Sequence, residues 1–132
     1  MSKAIADILR TKAQHDFNAA AILADADQKD VGDEIFGLLI QQAVEKAAKC
    51  LLASKNIKYP FTHEIDRLFQ DLTAKGLPVP GRFSDLEMLT PFATQARYET
   101  AISRGLFDRP RFLNLVREFL AWIDVARRKA SR

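Results

Sequence analysis

One cysteine, Cys50, is present in 132 residues. That excludes an intrachain disulfide framework and any multi-cysteine zinc site. Glycine and proline number five each, too few for a collagen-like or low-complexity chain. The two histidines, His15 and His63, lack the paired spacing of a metal motif, and no glycine-rich phosphate loop is present. No cofactor is therefore expected. The longest apolar run is Ala19 to Ala24, whereas a membrane helix needs about 20 such residues. The first residues carry no long apolar core followed by a cleavage site, so the reducing cytoplasm is the expected compartment. Alternating β-branched segments are missing too, which argues against a sheet.

What remains is an ordinary globular composition, 48% hydrophobic and 28% charged, of a length that suits one domain over residues 1–132. The net charge of +3 is too small for a general nucleic-acid coat. Its distribution is uneven. Residues 1–66 hold 8 basic and 10 acidic side chains, and residues 67–132 hold 12 and 7. Ten of the eleven arginines fall in the second half. Either surface helices happen to carry them, or one side of the molecule faces phosphate, which arginine grips in a bidentate way.

The hydrophobic pattern has helical period almost throughout. It predicts helices over about 3–26, 33–54, 62–75, 84–103 and 111–129. Thr62 is the expected N-cap of the third helix and Gly76 its stop. Ser84 and Glu87 form a capping-box pattern, and Pro91, with Thr90 before it, marks a kink or restart. The acidic stretch from Asp25 to Glu34 has the ligands of a calcium loop in the wrong order and reads as a solvated turn. The fold class that follows is an all-α, up-and-down antiparallel bundle of four to five helices.

In the first helix the apolar side is assigned to Ile5, Ile8, Leu9, Ala13, Ala20, Leu23 and Ala24. Asp16 lies inside that arc, so a buried carboxylate in need of a charge partner is expected, with Lys12 or a cation from another helix supplying it. In the second helix Phe36, Leu39, Ile40, Ala43, Val44, Ala47, Cys50 and Leu51 form a core face. Gln41, Gln42, Glu45, Lys46 and Lys49 form a polar face, on which Leu38 and Leu52 also fall. Two leucines on a polar face suggest contact with a second subunit or a ligand.

The run Phe36-Gly37-Leu38-Leu39-Ile40-Gln41-Gln42-Ala43-Val44-Glu45-Lys46-Ala47-Ala48-Lys49-Cys50-Leu51-Leu52 resembles the signature helix of HEPN domains. Thr62-His63-Glu64-Ile65 resembles the start of that family's next helix. Leu89-Thr90-Pro91-Phe92-Ala93, followed by Ala96-Arg97-Tyr98, resembles a third segment, and Asp16 with the alanines after it matches the first helix. The resemblance implies a helical bundle, often a homodimer, that binds nucleotide or RNA. It further implies a toxin–antitoxin-like pairing with a minimal nucleotidyltransferase. On this basis Gln42, Lys46, Lys49, His63, Arg97 and Tyr98 are the nucleotide-binding candidates. RNA-cleaving members carry Arg, a short gap and then His on a late helix. Here no histidine follows Arg97, so the resemblance leans toward binding rather than catalysis. Arg10 and His15 have the gap but lie on the first helix. They are the weak alternative for a dimeric endoribonuclease, and a purely protein-interacting bundle is the other.

Overall fold

The computed structural model describes residues 2–27, 29–94 and 107–129. Four α-helices and one 3-10 helix make up the described part: α1 (Ser2–Leu23), α2 (Asp33–Ser54), α3 (Ile65–Ala74), η1 (Gly81–Ala93) and α4 (Arg109–Lys129). The protein is an all-α helical bundle. The continuation of helix expected to about residue 103, and the candidates Arg97 and Tyr98, lie outside the described residues.

Helix α2 is the centre of the bundle and packs against each of the other four elements. Its ends are those the sequence predicts, with Asp33 and Glu34 in the first turn, where carboxylates complement the helix dipole. Three pairings fix the relation of α1 to α4: Asp7 with Arg127, Arg10 with Asp124, and Phe17 with Arg117. Residue numbers rise along one helix as they fall along the other, so the two are antiparallel. Arg127 and Arg128 belong to the last turn of α4.

Helix α1 presents a face rotated from the one expected. Ala13 and Ala20 are buried as assigned, but Ile5 and Ile8 are exposed, and Ala6 and Phe17 are buried in their place. The buried arc is centred about 90° round from Ile5 at 100° per residue. Three alanines seven residues apart let α1 lie close against α2, and close backbone approach outweighs the larger hydrophobicity of isoleucine. Asp16 consequently sits at the edge of the contact and is half-buried, not buried.

The segment expected to begin a helix at Ser84 is a 3-10 helix that starts at Gly81, with Pro80 in the capping position. Its buried residues are Phe83, Leu86, Leu89 and Phe92, a strict period of three, which is the repeat of a 3-10 helix. Thr90 does not restart this helix. Its hydroxyl accepts the Ile65 backbone N–H at 3.1 Å, and so closes the first turn of α3 from a neighbouring element. Thr62 accordingly lies before the helix and accepts the Glu64 N–H at 3.1 Å. Gly76 ends the segment after α3 with φ of 81°, a left-handed conformation that costs glycine little.

Arg109 ties the first connection to the last helix. Its Nε donates to Asp33 at 2.7 Å, and its terminal nitrogens reach the carbonyls of Ala26 at 3.1 Å and Val31 at 2.5 Å. Both side chains of the pair are buried. The acidic turn is therefore held by a planar cation with several donors.

Candidate functional site

The polar side of α2 is largely buried. Gln41, Glu45 and Lys49 are enclosed, as is Leu52, and the connection between α2 and α3 meets this side through Tyr59 and His63. Leu52 is therefore core rather than an interaction residue.

Glu45 is the hub. Its Oε2 accepts from Lys49 Nζ at 2.8 Å. Its Oε1 faces Gln41 Nε2 at 3.0 Å and His63 Nδ1 at 3.0 Å. Gln41 also donates to the His63 carbonyl at 3.0 Å and accepts from Gln42 at 2.7 Å. Burial pushes the Glu45 carboxyl up, but the bonds from Lys49, Gln41 and His63 outweigh it and hold the group below its ordinary value. Lys49 Nζ lies 5.6 Å from the centre of the Tyr59 ring, a cation–π distance. Tyr59 was not legible as a site residue, since nothing in its own loop marks it.

Lys46, next to Glu45 and about 100° round the helix from it, meets Asp16 on α1 through Nζ at 2.6 Å. Asp16 thus has its partner on another helix, not in Lys12. Both site lysines face carboxylates, so Lys46–Asp16 and Lys49–Glu45 are two ion pairs without net charge. The ring of His63 stands at the open edge of this network with a side-chain exposure of 61%, against 6% for Glu45.

These contacts join the motifs that the sequence separates. Gln41 and Glu45 of the second helix hold His63, and Thr90 of the third segment holds Ile65, two residues on. The model of the HEPN domain family matches residues 6–128. The chain belongs to the HEPN domain family. No curated protein and no solved structure matches it.

In this HEPN chain the alternative pair is kept apart. Arg10 binds Asp124 on α4 through two nitrogens, at 2.7 and 3.1 Å, and Gln14 at 3.1 Å. His15 is exposed and lies about 140° round the helix from Arg10 at 100° per residue. Most other described arginines also have carboxylate partners: Arg67 with Asp71, Arg82 with Glu118, Arg109 with Asp33, Arg111 with Asp85 and Arg127 with Asp7. Among the described residues, the arginines of the second half of this HEPN domain are thus chiefly members of ion pairs. A separate cleft of about 470 Å³ lies among Lys3, Ser54, Asp124, Arg127 and Arg128 and shares no residue with the network round Glu45. No helix is long and apolar enough to cross a membrane among the described residues.

Proposed function

We infer that this HEPN chain is a nucleotide- or RNA-binding module. In this reading it forms a homodimer and is one component of a toxin–antitoxin-like pair with a minimal nucleotidyltransferase. The observation that carries the binding reading is the network that holds the His63 ring at the surface from a buried carboxylate. Apolar residues would pack α2 at least as stably as buried ion pairs do, so a polar network here has a use beyond stability. Gln42, Lys49 and His63 take part in it, Lys46 pairs with Asp16 on α1, and the family resemblance is the ground for adding Lys46, Arg97 and Tyr98.

Lys46 is the cation best suited to a phosphate, since it is less enclosed than Lys49. It would exchange Asp16 for the ligand. Removing its charge also leaves Asp16 to repel an anion. Titrating nucleotides and short RNAs against the protein tests the reading. Lys46→Ala and Arg97→Ala are expected to weaken binding about five- to tenfold, as loss of a charge-assisted hydrogen bond does. Unchanged affinity with an intact fold overturns it.

A second reading, a protein-interaction bundle, is favoured by the exposed apolar side chains Ile5, Ile8 and Phe61. Sedimentation of the wild type and Phe61→Ser distinguishes self-association from a monomer. The ribonuclease reading through Arg10 and His15 requires that the purified protein cut RNA, and intact RNA in large excess of protein removes it.

A further inference from the structure

The cleft of about 470 Å³ among Lys3, Ser54, Asp124, Arg127 and Arg128 lies where the start of α1 meets the ends of α2 and α4. Its size is that of a small-molecule site. The cations Lys3, Arg10, Lys55, Arg127 and Arg128 stand in or beside it, and the carboxylates Asp7 and Asp124 oppose them. The C-terminal ends of α2 and α4 contribute about half a negative charge each, and the start of α1 about half a positive one. The surplus is therefore about two positive charges.

The pairings show where that surplus falls. Both oxygens of Asp124 accept from Arg10, at 2.7 and 3.1 Å. Asp7 accepts from one terminal nitrogen of Arg127 at 2.7 Å, which leaves that guanidinium with further donors. Ser54 gives its hydroxyl hydrogen to the Leu51 carbonyl at 2.7 Å. Among the described residues, neither Lys3 nor Arg128 has a carboxylate partner. Lys3 stands in the first turn of α1, where no acidic residue balances it and a cation is disfavoured.

The end of α4 is also held in place. Lys55 Nζ donates to the Arg127 carbonyl at 2.9 Å, and Asp7 and Arg10 bind α4 from α1. The backbone that carries Arg127 and Arg128 is fixed before a ligand arrives, which lowers the entropy cost of binding.

We propose that this cleft binds a compact oxyanion of two or more charges, of the phosphate or pyrophosphate class, through Lys3, Arg127 and Arg128. Guanidinium groups grip such an anion with paired hydrogen bonds. Asp7 and Asp124 flank the cations and repel a polyanion that runs past them, so the site suits an anion of limited size and not a nucleic-acid strand. The proposal is independent of the binding reading given above, because the cleft shares no residue with the network round Glu45.

The experiment titrates pyrophosphate, phosphate and glycerol phosphate into nitrogen-labelled protein and follows the backbone amides by NMR. Pyrophosphate is expected to shift Lys3, Ser54, Arg127 and Arg128 and to leave Gln42, Lys46 and His63 unmoved. Lys3→Gln and Arg128→Gln, both at exposed positions, are each expected to weaken pyrophosphate about three- to fivefold, the worth of an exposed charge pair. Arg117→Gln removes the same charge about 15 Å away along α4 and is expected to change affinity by less than about twofold. Binding of the inorganic anions alone supports a free anion as ligand, and equal binding of glycerol phosphate supports a phosphate monoester. No response to any of the three up to about 10 mM overturns the proposal. So do shifts confined to Gln42, Lys46 and His63, an equal loss in Arg117→Gln, or a response of the cleft to an oligouridylate but not to pyrophosphate.

Discussion

The ring of Phe92 rests against the bare Cα of Gly37, and no Cβ fits between them. A Cβ built on Gly37 would fall 2.5 Å from Cε1 of Phe92, and Phe92 is fully buried. Glycine inside a helix costs about 1 kcal/mol relative to alanine. The close packing of α2 on η1 requires it here. Gly37→Ala is expected to destabilise the fold, because overpacking of about 1–3 kcal/mol exceeds the propensity gained. Thermal unfolding followed by circular dichroism checks this, and a second change, Phe92→Leu, is expected to restore part of the loss.

Removing Arg109 has a larger expected effect. Arg109→Met leaves Asp33, which is 1% exposed, as a buried charge without its 2.7 Å partner. Loss of one member of such a pair costs about 3–5 kcal/mol. Arg109→Lys is not expected to rescue it, since an ammonium cannot reach the carboxylate and the carbonyls of Ala26 and Val31 together. Denaturant titration of the three proteins gives the comparison.

Acid is expected to act on the fold through Glu45. Its folded-state value lies below the ordinary 4.5, so the stabilisation is complete above about pH 4.5 and is lost as pH falls through the folded value. Below that, Lys49 is left as a buried ammonium beside a neutral acid. The wild type should therefore lose melting temperature on acidification more steeply than Glu45→Gln. That variant should already be about 3 kcal/mol less stable at neutral pH. Melting curves from about pH 7 to pH 3 test both parts.

Cys50 is fully buried, and its environment raises its pKa to about 11, burial being the main cause against weaker opposition from Arg127 and Arg10. Reactivity requires the thiolate. Alkylation at neutral pH is expected to be negligible in the folded protein and to appear together with unfolding in denaturant. Rapid modification without unfolding would contradict the packing of α2.

The sequence made the ends and the apolar face of α2 legible, because the ends carry their own signals and that face is continuous, but not the burial of its polar side. On α1 it was right about Ala13 and Ala20 but misled at Ile5 and Ile8, where packing chose Ala6 and Phe17 instead. Small residues carry little weight on a hydropathy scale and much in a close helix pair. The helix at Gly81–Ala93 was legible as a helix but not as a 3-10 helix, although Phe83, Leu86, Leu89 and Phe92 keep a period of three. In the site, the family resemblance was the ground for naming Gln42, Lys46, Lys49 and His63. Partners across elements, such as Asp16 for Lys46 and Glu45 for His63, depend on how helices cross and are not written in any one segment. Tyr59 and Arg109 show the same limit.

The reach of Arg109 also sets an order of assembly. During synthesis α1, the acidic turn and α2 leave the ribosome well before residue 109, and domains tend to build from the N-terminal side. Until then the carbonyls of Ala26 and Val31 and the carboxylate of Asp33 lack the bonds that Arg109 later makes. The helical hairpin can pair early but is latched late, by a contact 76 residues along the chain from Asp33. A chain cut short before that point has the hairpin's sequence without its clasp.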